Sequence, residues 1–289
     1  MAQIVTITNP LTGQPAQVDQ LEHTAQQIDD AIAQALPGGA IDIALHEKVN
    51  PNLLDNWYFA NPVNQRGQTV YTSNALSSVH SIDRWMIWGQ YTSSDTLSLN
   101  DGYVTYNSNG HQYGGITTQI ESAGLRGETL TFSIFGRGGT TGRSVWVAVD
   151  SYDESDVQNR IASFYVTFDT IFSILQKSDI IVPSDSVTLK IQVLSSNNDG
   201  GIYDFKAAKL ELGDQQTLAH QDADGNWVLN EIPDYGEQLA RCQRYFQTFA
   251  TESLRPTNAL DFRPVMRATP ALSTITVGGK TLYTASADL

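Results

Sequence analysis

The chain has 289 residues, with 17 Lys and Arg against 31 Asp and Glu and a formal net charge of −14. A surface this acidic repels phosphates and anionic headgroups, which excludes nucleic acid and anionic membranes as partners, and no run approaches the roughly 18 apolar residues that a membrane-inserted helix needs. Only 17% of residues are charged, against 40% hydrophobic, and Ser, Thr, Asn, Gln and Gly are abundant, which suits strands with uncharged polar outer faces better than a helical bundle.

The first section, residues 1–50, opens on a short β-prone stretch at Ile4, Val5 and Ile7, punctuated by Asn9-Pro10 and Thr12-Gly13. A helix is predicted after Pro15 and stopped by Pro37-Gly38-Gly39. Along it Val18, Leu21, Ala25, Ile28, Ile32 and Ala35 follow a 3-4-3-4-3 spacing, the a/d seam of a heptad. So short a helix is marginal alone. Either the stripe packs on its own domain, or it self-associates about a symmetry axis. The opening residues lack a basic stretch followed by an apolar core, so no secretory signal is expected.

The second section, residues 51–213, reads as strands. Leu130-Thr-Phe-Ser-Ile-Phe135, Ser144-Val-Trp-Val-Ala-Val149, Val187-Thr-Leu-Lys-Ile-Gln-Val193 and Ala208-Lys-Leu-Glu-Leu212 alternate with period two. The glycines of 136–142 connect the first two, and Asn197-Asn-Asp-Gly-Gly201 is a turn signal. Residues 170–177 fit either a helical turn or a strand. About eight short strands are expected in a two-sheet sandwich such as a jelly roll.

The third section, residues 214–289, predicts a small α+β unit. It has a hairpin turn at Asp222-Ala-Asp-Gly-Asn226, then a helix over 235–249 with Leu239, Cys242, Phe246 and Phe249 on one face. Two β-prone segments follow, at 271–277 and 281–285, joined by Gly278-Gly279. Cys242 is the only cysteine, so no intrachain disulfide forms.

Catalytic patterns are missing. There is no Gly-x-Ser-x-Gly elbow, and Gly136-Arg-Gly-Gly139 lies between predicted strands rather than before a helix with Lys-Ser/Thr, so it is no phosphate loop. With 31 acidic residues, the closeness of two carboxylates carries no information about glycoside hydrolysis. No enzyme activity and no cofactor are expected. Two acidic clusters, Asp150 with Asp153, Glu154 and Asp156, and Asp222 with Asp224, read as solvated turns, with structural Ca²⁺ as the alternative. Aromatic residues gather from Trp57 to Tyr113; Trp57 and Trp85 read as core. Tyr103, Tyr106, Asn109, His111 and Tyr113, in or beside a Gly/Asn-rich stretch, divide between core and an exposed ligand-binding patch, where rings stack on sugars and amides pair with hydroxyls.

Two stretches carry a resemblance. Asn52-Leu-Leu-Asp-Asn-Trp-Tyr-Phe-Ala-Asn-Pro-Val-Asn-Gln-Arg-Gly67, followed by Ile82-Asp-Arg-Trp85, resembles the opening of carbohydrate-binding-like jelly-roll domains in phage and prophage tail proteins, and Ala208-Lys-Leu-Glu-Leu-Gly213 resembles their closing strand. Tyr235-Gly-Glu-Gln-Leu-Ala-Arg-Cys-Gln-Arg-Tyr-Phe246, then Phe262-Arg-Pro-Val-Met-Arg-Ala-Thr-Pro270, is similar to a module at the C-terminal end of such proteins. Residues 1–50 share only a general likeness to particle-attachment segments. The resemblance implies a virion location with release by lysis, other tail proteins as partners, a homo-oligomer (commonly a trimer) and recognition of a host-surface glycan. It fixes no catalytic residue. Asp83-Arg84-Trp85 is read as structural, an Arg–carboxylate pair beside a buried ring. The alternatives are a purely structural virion or decoration protein and a polysaccharide depolymerase.

Overall fold

The computed structural model describes residues 4–8, 15–19 and 49–288, except 75–76, 90–93, 111–112, 141, 197–199 and 257–260, with side chains described from residue 49 onward. The chain divides into two compact units, Met1–Lys48 with His220–Val228, and Val49–Ala219 with Leu229–Leu289.

In the first unit, β1 (Ile4–Thr8) pairs antiparallel with β2 (Pro15–Asp19), from Ile4 opposite Asp19 to Thr8 opposite Pro15. This corrects the expected start of the helix, because residues 15–19 form a strand with Val18 opposite Val5, while the rest of that segment lies outside the described residues. Proline at the head of a segment signals a strand start as readily as a helix start, and the facing β-prone run supplies the ladder that decides between them. Leu21, Ala25, Ile28, Ile32 and Ala35 lie outside the described residues.

The second unit is a jelly-roll β-sandwich. Its strands are β3 (Val70–Thr72), β4 (Ser78–His80), β5 (Trp85–Trp88), β6 (Thr96–Asn100), β7 (Tyr103–Asn107), β8 (Gly115–Glu121), β9 (Thr129–Gly138), β10 (Arg143–Tyr152), β11 (Gln158–Phe168), β12 (Ser173–Ile181), β13 (Thr188–Ser195) and β14 (Ile202–Leu212). They form two antiparallel six-stranded sheets, ordered β11-β10-β13-β8-β5-β4 and β12-β9-β14-β7-β6-β3. From β11 to β14 the chain changes sheet at every step, the jelly-roll connectivity. Of the ambiguous 170–177 stretch, residues 173–177 fall in β12, which pairs with β9. Between the sheets, Trp85, Ile87, Val147, Phe132, Ile134 and Phe205 are 0–1% exposed, and Phe59 meets Trp85 edge-on at 4.9 Å.

After the sandwich come β15 (Ala219–Gln221) and β16 (Trp227–Leu229), a two-stranded sheet. In their connection Asp222 Oδ1 accepts from the backbone N–H groups of Asp224 and Asn226. The helix α1 runs from Tyr235 to Gln243, shorter than the 235–249 expected. Asp234 caps it by accepting from Glu237 N–H at 2.9 Å. The residues beyond it, Phe246–Phe249, form β17 and pair with β19 (Lys280–Ser286), which also pairs with β18 (Ala271–Val277). Aromatic residues favour a pleated, half-buried ladder once a partner strand is present, which overrides the helical spacing of Phe246 and Phe249. Gly278 and Gly279, at φ +55° and +76°, make the two-residue turn joining β18 to β19. Cys242 is fully buried, and burial pushes its thiol well above the usual range.

Within this unit the C-terminal module is locked to the sandwich by buried charge. Arg66 donates to Asp83 at 2.9 Å and to Asp288 at 3.1 Å, with its guanidinium 3.9 Å from the Phe246 ring centre. Arg84 pairs with Asp55 at 3.3 Å beside the buried Trp85, rather than with its neighbour Asp83, and lies 3.4 Å from the Tyr245 ring centre; Arg241 of α1 reaches the same Asp55 at 2.7 Å. Burial raises the Asp83 carboxyl from 3.8 to about 6, against the pull of Arg66. The folded protein therefore holds a proton there at pH values where the unfolded chain has lost it. The part of this group's contribution that comes from the bound proton is full below about pH 4 and is lost as pH rises through about 6. Urea unfolding of the wild type and Asp83→Asn should show it, as a stability difference that changes across that window. A difference independent of pH would refute the assignment.

Candidate functional site

In the sheet β11-β10-β13-β8-β5-β4 the outward phase carries the chemistry. Val145, Val147 and Val149 of β10 are buried inward, which turns Trp146, Ala148 and Asp150 to the opposite face. In β13, Leu189, Ile191 and Val193 point inward, leaving Lys190, Gln192 and Leu194 outward. Strand register then aligns the outward residues in rows across the sheet. One row reads Trp88, Gly115, Leu194, Trp146, Tyr165; the next Met86, Thr117, Gln192, Ala148, Ser163; a third Gln119, Lys190, Asp150, Arg160.

A cleft of about 500 Å³ opens over these rows, a size typical of small-ligand sites. Trp146 and Tyr165 lie nearly parallel, 6.4 Å apart at 21°, and Tyr113 meets Trp146 edge-on at 5.8 Å. Tyr165 is 66% exposed. Trp88 lies three strand spacings from Trp146, roughly 14 Å. Between them Gly115 keeps the floor low, because a Cβ there would stand 2.1 Å from the Val193 carbonyl oxygen. Tyr113 has φ +63°, a left-handed conformation uncommon for a bulky residue and frequent at binding sites. Its N–H donates to Ser195 O at 2.7 Å, which anchors the backbone beneath the ring.

The polar floor centres on Asp150, which is fully buried. Arg160 Nε donates to Oδ1 at 2.6 Å and Nη2 to Oδ2 at 3.1 Å, while Gln158 and Gln192 each donate to Oδ2 at 2.7 Å. A β-bulge makes this possible. The register shifts between Val149 and Asp150, so Val149 faces Ala162 while Asp150 faces Arg160, and Ile161 is the extra residue. Without that shift Ile161 would occupy the position opposite Asp150. The Arg160 guanidinium also lies 4.5 Å from the Trp146 ring centre, which holds the indole in place. Aromatic faces beside fixed amide and guanidinium donors form a surface that can stack on an apolar ring face and pair with hydroxyls around it.

No family model and no curated protein matches the sequence. Several solved structures are similar over about half of the chain. One, described as "CBM4 structure and function", has 15% identity and a TM-score of 0.39 over 55% of this chain and 99% of its own. The CBM22-1 xylan-binding domain of Paenibacillus barcinonensis Xyn10C has 12% identity and a TM-score of 0.37 over 58% of this chain and 99% of its own. The enzymatically active domain of bacteriophage CBA120 tailspike protein 4 has 14% identity and a TM-score of 0.33 over 56% of this chain and 21% of its own. With each of these TM-scores below 0.5, it is the strand order and register of the chain itself that define its fold.

The residues expected at a ligand patch are dispersed. Tyr113 is in the cleft. Tyr106 is 1% exposed, a correction to its expected place in an exposed patch; it lies beside Tyr203 in the core and donates to Asp95 Oδ2 at 2.8 Å. Burial raises its hydroxyl far above the usual range. Tyr103 starts β7 in the other sheet, against Phe172 and Arg137, and Asn109 lines a separate hollow of about 230 Å³ with Arg143 and Thr140. His111 lies outside the described residues. The Ca²⁺ candidates do not converge either. Asp150 is taken up by Arg160 and the two glutamines, and Asp153 Oδ1 accepts from the N–H groups of Ser155 and Val157 in a turn. Among the described residues no group of three or more His, Cys, Asp or Glu is placed to hold a metal. Tyr106→Phe should lower the unfolding free energy by about 1–3 kcal/mol, because a buried carboxylate loses a donor, and should leave ligand affinity unaltered. A loss of affinity in the folded variant would return Tyr106 to the site.

Proposed function

We propose that this chain is a non-catalytic glycan-binding protein whose ligand lies in the cleft over the β11-β10-β13-β8-β5-β4 sheet. One observation carries the reading, the outward row of Trp88, Gly115, Leu194, Trp146 and Tyr165, which sets solvent-facing rings on either side of a glycine floor. Hydrogen-bonding groups lie in the rows beside it. Among the described residues no Asp or Glu lines the cleft, and Asp150 beneath it accepts four hydrogen bonds; a glycosidase mechanism needs two carboxylates free to exchange protons or attack, which supports reading the site as one that holds a saccharide. An oligosaccharide array probed with the purified protein, followed by NMR mapping of the best binder, tests this. Shifts should concentrate at the indole and phenol rings of Trp88, Tyr113, Trp146 and Tyr165. An array without binders would favour a purely structural role, and release of reducing ends would favour a depolymerase.

The likeness of 52–67, 235–246 and 262–270 to tail-protein segments supports a place on a phage tail, with particle attachment and self-association as a homotrimer assigned to residues 1–50. Several copies on one particle would raise avidity for a weakly held glycan without any new contact. Light scattering on the full chain at micromolar concentration should give three times the monomer mass. A monomer there would remove the trimer from the reading.

A further inference from the structure

The cleft contains two cations in different states. Arg160 is neutralised at short range by Asp150, as described above. Lys190, two strands over in the same row, is not: among the described residues it has no hydrogen-bond or ion-pair partner. The Asp150 carboxylate opposite it accepts from Arg160, Gln158 and Gln192 instead. The chain carries a net charge of −14, and a half-buried lysine with Asp150 acting on it only at longer range, and no carboxylate in contact among the described residues, is out of character in such a protein, since partly buried charge is normally paired at short range.

We infer that the cleft selects saccharides that carry an anionic substituent, and that the Lys190 ammonium is the group that receives it. This rests on the glycan-binding reading of the cleft. Lys190 lies two rows from the aromatic row, roughly 13 Å along the strands at the level of the Cα atoms. A lysine is a mobile point charge without the planar fork of arginine, so uronate or sialate carboxylates and sulfate esters are all admitted. Partial burial lowers the pKa of the ammonium, with the Asp150 charge pulling the other way. The acidic surface elsewhere repels such ligands, which confines their binding to this spot and makes it sensitive to salt.

The test is an array of neutral, uronate-bearing, sialate-bearing and sulfated oligosaccharides, followed by titration of the best binder against its matched neutral form, a methyl ester or a desulfated oligomer. The anionic form should bind about tenfold more tightly, the scale of one charge-assisted hydrogen bond. That ratio should collapse towards one in Lys190→Met, be kept in Lys190→Arg, and shrink between 50 and 500 mM salt. The carboxylated and sulfated arms show which anion is preferred. If neutral oligosaccharides bind as well as their anionic forms, or if Lys190→Met keeps the ratio, the inference fails while glycan binding stands. If no member of the array binds, both fail together.

Discussion

Trp146→Ala should reduce affinity for the best-binding oligosaccharide by about two orders of magnitude, close to loss of detectable binding for a weak single-site ligand. The indole is the centre of the aromatic row, with Tyr165 nearly parallel to it, Tyr113 edge-on and Arg160 over its face. Aromatic contacts of this kind contribute about 0.5–1.5 kcal/mol each beyond their area, and removing the indole also frees Tyr113 and Arg160 from their positions. Trp146→Phe keeps a planar ring and should recover part of the affinity. Isothermal titration measures both variants, and circular dichroism establishes that they are folded. Unchanged affinity in a folded Trp146→Ala protein would place the ligand elsewhere, with the hollow beside Asn109 and Arg143 next to be examined.

The largest expected loss of stability comes from Asp83→Ala, at about 3–5 kcal/mol, the usual result of removing one partner of a buried ion pair. Asp83 is fully buried and holds Arg66 from one side while Gln65 donates to it from another. Without it, a buried guanidinium relies on Asp288 alone among carboxylates. Arg66 also covers Phe246, and Gln65 also donates to Phe246 O, so the loss spreads into β17 and the C-terminal module. Chemical denaturation should show the decreased midpoint, and protection of β17 and β19 amides from hydrogen exchange should fall with it. A loss below about 1 kcal/mol would mean that the pair is compensated by relaxation rather than holding the module down.

The mainly-β class and the individual strands were legible because alternation has period two and is a local property. Val145, Val147 and Val149 announced β10 in that way, and Leu189, Ile191 and Val193 announced β13. The same alternation held an unread signal, since Trp146, Lys190 and Gln192 fall in the polar phase of those strands, where a tryptophan has no core to fill. Attention to the Gly/Asn-rich stretch instead favoured Tyr106, although Val104 and Tyr106 share the inward phase of β7. Phe246 and Phe249 show the opposite error, a helical spacing read from residues whose partner strand lies more than thirty positions further along the chain.

By itself the sequence determined the mainly-β character, the acidic surface, the Gly278-Gly279 turn and the start of α1, because each depends on composition or on residues within a few positions of one another. The tertiary structure alone decided that Trp88, Gly115, Leu194, Trp146 and Tyr165 form one row, that a bulge at Ile161 brings Arg160 opposite Asp150, and that Lys190 has no ion pair among the described residues. Strand order and register are set by how two whole sheets bury their inner faces, and a shift of a single residue exchanges the two faces of a strand. No local pattern carries that information, so the cleft exists only once the sandwich has closed.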